Sequence, residues 1–112
     1  MKVRDLTTVE GWECIRMAAA DSAVTAGYTS DLLSDVMANA PADSVLITMQ
    51  AHLKTVAVAA LAEVRAIVIC HARRIPDDMI TAAQREDILL MRTAANQFET
   101  TVKVHQLLTA AL

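Results

Sequence analysis

From Pro41 onward, apolar residues occur in two arrangements: short unbroken runs, and longer segments where they recur every three or four positions. Ser44–Met49 (SVLITM) is an apolar, partly β-branched run of strand length. His52–Glu63 (HLKTVAVAALAE) has helical spacing, and Leu53, Val56, Ala57, Ala60 and Leu61 form the stripe expected to face inward. Ala66–Cys70 (AIVIC) is a second short apolar strand. Pro76-Asp77-Asp78 then opens a helix running to about Glu86, because proline suits the first turn and carboxylates suit the positive end of the helix dipole. Ile88–Met91 (ILLM) is a third strand, and Asn96 can cap a last helix that reaches about Thr109.

The pattern is β-α-β-α-β-α over the C-terminal two-thirds. Its strands are continuous apolar runs and do not alternate, which is the signature of a parallel sheet covered on both faces. The expected fold class is α/β, a small three-layer or two-layer domain around a mainly parallel sheet. The N-terminal third is less regular. Arg4–Val9 reads as a short helix, Trp12–Met17 as a strand after a turn at Gly11, and Val24–Tyr28 as extended chain. Ser30 or Asp31 is expected to cap a helix with Leu33, Val36, Met37 and Ala40 inward, ending before Pro41. This part is expected to add strands of undetermined direction. The two prolines, Pro41 and Pro76, and the two glycines, Gly11 and Gly27, are all read as turn markers.

At 112 residues the chain fits one domain, residues 1–112, with enough length to bury a core unaided. Only Trp12, Tyr28 and Phe98 are aromatic, so aliphatic groups and methionine must build that core. The longest mainly apolar stretch, Val56–Cys70, is broken by Glu63 and Arg65, which argues against a membrane partner. The net charge of −3 argues against general attraction to nucleic acid. No charged-then-apolar leader opens the sequence, and Cys14 and Cys70 are too few and too far apart for a disulfide framework. The expected location is cytoplasmic.

Asp21–Ala40 (DSAVTAGYTSDLLSDVMANA) and the following ITMQAHLKTVAVAAL resemble the DRTGG domain, most specifically in GYTSDLLSDVM. That domain is related to the N-terminal domain of the HPr kinase/phosphorylase, and it also occurs alone or beside CBS domains in regulated pyrophosphatases. In the motif turn, Asp21, Thr25 and Gly27 fill the first, third and last places, with Asp31 following. The arginine is missing, with Ser22 or Ala23 in its place, and Ala26 replaces the first glycine. The resemblance implies a single α/β accessory domain, often dimeric and without established catalysis of its own. No role resting on the arginine transfers.

Ligands of open parallel sheets bind beyond the carboxyl ends of the strands. Gln50 and His52, His71 and Arg73, and Arg92 and Thr93 follow the three apolar strands, so the expected ligand site is a rim of these six residues. Their donors and cations suit a small anionic metabolite or a nucleotide. With two glycines in all, there is no P-loop and no dinucleotide fingerprint, and phosphoryl transfer is not expected. Cys14, His52, Cys70 and His71 show no zinc-ligand spacing, so no metal or cofactor is expected. Cys70 reads as a small buried hydrophobe, Asp31 and Asp35 as a helix start and a solvated face, and His105 as structural.

In His52–Glu63, Val58, Ala59 and Ala62 carry the apolar surface beyond one stripe, which suggests cover from a second copy of the chain or, alternatively, from the N-terminal segment of the same chain. The expected function is a non-enzymatic regulatory or binding module, homodimeric, sensing a small anion. The alternative is an accessory or scaffolding protein that contacts a larger enzyme and binds no small molecule. A weaker third reading is a small enzyme working through His52 or His71.

Overall fold

The structure, a computed structural model, describes residues 1–110. The chain runs through a 3₁₀ helix (Val3–Thr8), β1 (Glu13–Arg16), β2 (Ala26–Thr29), α1 (Leu33–Asn39) and β3 (Ser44–Thr48). It continues through α2 (Leu53–Leu61), β4 (Ala66–Ile69), α3 (Asp77–Arg85), β5 (Leu89–Arg92) and α4 (Gln97–Ala110). The five strands form one sheet in the order β1-β5-β4-β3-β2. β2, β3, β4 and β5 are parallel neighbours, and β1 joins the β5 edge antiparallel.

Because β2 to β5 step across the sheet in one direction, right-handed crossovers put α1, α2 and α3 on the same face. The packing agrees. Val36, Val56, Ala59, Met79 and Ala83 share a core with Leu46, Ile67, Ile69 and Leu90. The alternate strand residues Val45, Ile47, Val68 and Met91 point the other way, against Val104 of α4 and Val3 and Leu6 of the 3₁₀ helix. The domain is therefore three-layered, and its central strands β3 and β4 are buried at every position. That two-sided burial is why these runs do not alternate in sequence.

The helix ends are closed without glycine. In α2 the Val64 N–H reaches the Ala59 carbonyl at 2.9 Å and the Glu63 N–H reaches Ala60 at 3.2 Å. In α3 Ile88 reaches Ala83 at 2.9 Å and Asp87 reaches Gln84 at 3.3 Å. These are paired Schellman closures, and the left-handed residues they require are Glu63 (φ 59°) and Asp87 (φ 54°).

Four expectations need correction. The stripe assigned to α2 is rotated: Thr55, Val56 and Ala59 are buried, whereas Ala57 is exposed and Leu53 and Leu61 are 40% and 71% exposed. A helix this rich in alanine and valine has no unique apolar side, and small Ala59 allows close approach to the sheet. The buried Thr55 hydroxyl donates to the Gln50 carbonyl at 2.7 Å. In α1, Val36 is buried but Met37 is 45% exposed. Neither Ser30 nor Asp31 caps α1 at its N-cap, which is Leu32 with no side-chain bond, although Ser30 Oγ accepts the Leu32 N–H at 3.2 Å. Gly11 does sit in a turn, at φ 83°, but Gly27 lies inside β2. A Cβ on Gly27 would meet Val104 Cγ1 at 3.3 Å, so its place is explained by close packing of α4. Among the described residues no helix is long and apolar enough to cross a membrane.

Candidate functional site

Parallel strands bring the loops after β3, β4 and β5 to one end of the sheet, as expected, but most of the six rim residues are engaged within the fold. Gln50 donates its side-chain amide to the Asp31 carbonyl at 3.0 Å. His52 is the N-cap of α2, and its Nδ1 accepts the Lys54 N–H at 3.0 Å. Thr93 is buried, with its hydroxyl accepting the Ala95 N–H at 3.1 Å. Arg92 grips Glu13 through Nε at 3.1 Å and Nη2 at 3.0 Å, and Nη1 reaches the Arg73 carbonyl at 3.4 Å.

The loop after β4 turns through two successive left-handed residues, His71 (φ 61°) and Ala72 (φ 49°). Their N–H groups donate to the carbonyls of Ala95 at 3.0 Å and Thr93 at 2.8 Å. The N–H groups of this turn are thus already bonded to main chain of the loop after β5. The helix starts at this rim are also occupied. Asn96 and Glu99 cap α4 reciprocally, with Glu99 N–H to Asn96 Oδ1 at 2.8 Å and Asn96 N–H to Glu99 Oε1 at 3.3 Å. α3 opens with Asp77 and Asp78, which repel an anion. What remains free for an anion is the exposed turn itself: His71, Arg73 and Arg74 carry no ion pair among the described residues.

The organising residue at this end is Asp31. It leaves α1 uncapped and instead accepts, on Oδ1, the Thr48 hydroxyl at 2.9 Å, the Met49 N–H at 2.9 Å and the Gln97 side-chain amide at 3.0 Å. One carboxylate therefore ties the end of β3 to the start of α4. Sequence reading placed Asp31 in the family motif and missed Gln97 and Thr48 altogether. No local spacing links positions 31, 48 and 97. Only the sheet brings them together.

The other motif residues do not converge on a pocket. Asp21 is exposed and accepts the Arg4 N–H at 3.0 Å, and Thr25 donates its main-chain N–H to the Asp43 carbonyl at 2.9 Å. Cys70 is buried, its thiol donates to the Thr100 hydroxyl at 3.5 Å, and burial pushes its pKa up. It is thus held as a neutral thiol, the form that is neither nucleophile nor metal ligand. Among the described residues no three His, Cys, Asp or Glu side chains gather as a metal-binding group.

His105 does not lie in the core. It is exposed, and with Gly27, Thr29, Ile47, Thr101, Val104 and Leu108 it lines a small open cleft between β2 and α4, of about 120 Å³. Small-molecule sites usually occupy about 300–1,000 Å³, so this cleft is too small for a nucleotide. Elsewhere on β2, the Tyr28 hydroxyl donates to the Asp35 carboxylate at 2.9 Å, and Asn39 donates to Asp35 Oδ1 at 2.8 Å. These bonds, with Ser30, hold the Asp35 carboxyl below its ordinary range. The bond to Asp35 raises the pKa of Tyr28.

No family model matches this chain, and no curated protein matches it.

Proposed function

We propose that this chain is a non-catalytic interaction module that works as a homodimer in a regulatory or scaffolding role. One observation carries the reading: α2 presents Leu53, Ala57 and Leu61 to solvent along a single ridge. The outer face of a helix in a soluble domain is normally polar. Here α2 packs against both α1 and α3, so the ridge sits in the middle of the helical layer. An apolar ridge in that position suits another protein surface better than water. The likeness of GYTSDLLSDVM to the DRTGG domain supports the same reading, since those domains are accessory and often dimeric.

Sedimentation equilibrium of the whole chain, from about 1 µM to about 1 mM, tests it. A concentration-dependent rise from monomer to dimer mass is expected. Monomer mass throughout would remove the proposal.

A second reading, recognition of a small anion, is favoured by His71, Arg73 and Arg74 around the double left-handed turn, which have no ion-pair partner among the described residues. Thermal stability should rise with phosphate, a phosphosugar or a nucleotide, because a ligand bound only to the folded state stabilises it by mass action. The rise should vanish when Arg73 and Arg74 are both replaced by alanine. A flat response across these anions would leave the interaction role alone.

A further inference from the structure

Resting on the dimer reading above, we infer that the second copy docks on α2 itself, antiparallel, about a two-fold axis that passes beside Ala57. Three features of the ridge select this occupant and this direction.

The first is its symmetry. Leu53, Ala57 and Leu61 are spaced four and four, so the ridge reads the same from either end. A two-fold axis through its centre sets Leu53 against the partner's Leu61, and Leu61 against the partner's Leu53. Ala57 then meets the partner's Ala57. An isologous interface needs a patch that complements itself under reversal, and this ridge does so without any other surface.

The second is its profile. The small residue is central and the large ones are terminal. Two helices can approach closely at the alanines while the leucines close over both sides of the crossing.

The third is charge. His52–Glu63 contains one lysine, Lys54, in the first turn of α2, and one carboxylate, Glu63, immediately beyond its last turn. Both are exposed. Each opposes the dipole of its own helix, which favours carboxylates at the start and cations at the end. Antiparallel docking brings Lys54 to the carboxyl end of the partner's α2, near the partner's Glu63. There the same two charges become favourable. A parallel arrangement would set lysine against lysine and carboxylate against carboxylate.

The test uses the full chain with Cys14→Ser, which removes the exposed native thiol and leaves buried Cys70. Ala57→Cys in this background should oxidise to a covalent dimer in most molecules. Gln106→Cys, on α4 across the sheet, should not. Leu61→Glu should raise the dimer dissociation constant at least tenfold without altering the helical circular dichroism, because Leu61 is largely exposed. Lys54→Glu and Glu63→Lys should each weaken the dimer severalfold, and the double reversal should restore it. If the wild type dimerises but Ala57→Cys fails to cross-link and Leu61→Glu keeps dimer mass, the docking surface is elsewhere. The homodimer reading would then stand without this inference. A wild type that is monomeric at every concentration overturns both.

Discussion

Glu13 and Arg92 face each other across the β1–β5 pairing, and the guanidinium holds the carboxylate through two hydrogen bonds, one to each oxygen, of 3.1 Å and 3.0 Å. The bond from Arg92 keeps the Glu13 carboxyl below its ordinary range, and Glu13 raises the pKa of Arg92 in return. Among the described residues β1 is the only antiparallel strand of the sheet, and its register is irregular between Cys14 and Arg16. A two-point ionic clasp at one end is what such a short edge strand needs. The same guanidinium also touches the Arg73 carbonyl, which couples β1 to the loop after β4.

Arg92→Ala should therefore loosen β1. Amide exchange in Glu13–Arg16 should accelerate, and the melting temperature should fall by a few degrees, as suits a pair with exposed Glu13 and half-buried Arg92. The sign with pH follows from Glu13. A depressed carboxylate pKa contributes stability above its ordinary value of 4.5 and loses it as pH falls through the lowered value. Denaturant unfolding of wild type and variant should differ at neutral pH and converge in acid. A deficit unchanged by acid would sink the ion-pair account.

Asp31 carries more of the fold than Arg92, because three donors from two distant segments share its Oδ1. Asp31→Ala leaves the Met49 N–H, the Thr48 hydroxyl and the Gln97 amide without their charged acceptor. The expected loss is about 2–3 kcal/mol by urea unfolding. Asp31→Asn keeps an acceptor oxygen and should lose only about 1 kcal/mol. Equal losses in the two variants would mean that packing, and not the shared oxygen, is what Asp31 supplies.

The contrast between Asp31 and Ile67 shows what could be read from the sequence. Ile67 belongs to a run whose composition alone announces burial on both faces, and the β-α-β-α-β-α order, the parallel sheet and the strand lengths all followed from such runs. The irregular parts depended on partners distant in sequence. β2 starts two residues later than the extended segment expected and ends one later, because Val24 is drawn into pairing with the chain start, its N–H meeting the Met1 carbonyl at 2.8 Å. Likewise β1 takes its direction from β5, some eighty positions on. The rim followed from topology, but its availability did not. Whether Arg92 faces a ligand or Glu13 depends on a cross-strand neighbour that no local pattern reveals. The apolar surplus of α2 was legible in Val58, Ala59 and Ala62, but Leu53 and Leu61, expected to face inward, face out, because which side turned to the sheet depended on where Ala59 could approach it.

Glu63 and Asp87 occupy equivalent left-handed positions after α2 and α3, but they should answer differently to glycine. A side chain in this conformation costs about 1–2 kcal/mol, and the extra chain entropy of glycine returns part of that. Glu63→Gly should therefore stabilise the monomer by about 0.5–1 kcal/mol in denaturant. Asp87→Gly should not. The Asp87 carboxylate accepts the N–H groups of Ala19 at 2.6 Å and Ala20 at 3.2 Å, so its removal releases the segment that leads from β1. A gain at both positions would show that backbone strain outweighs that anchor.

Tyr28 and Asp35 make the edge strand β2 sensitive to pH in two directions. Asp35 is held ionised by Asn39, Ser30 and Tyr28, in that order of effect. Its depressed pKa contributes stability above the ordinary 3.8, and that contribution disappears as pH falls through the lowered value. Tyr28 has a raised pKa, chiefly through its bond to Asp35. Its contribution is complete below the ordinary 10.0 and is lost as pH climbs through the raised value, because the unfolded chain ionises first. Tyr28→Phe should remove the alkaline loss and keep part of the acid one, since Asn39 and Ser30 still face Asp35. Asp35→Asn should remove the acid loss and let the Tyr28 pKa fall back toward 10.0. Tyr28 is the sole tyrosine, so phenolate absorbance follows this one group without interference. A tyrosine midpoint that stays put in Asp35→Asn would mean that burial, and not the carboxylate, holds the proton on Tyr28.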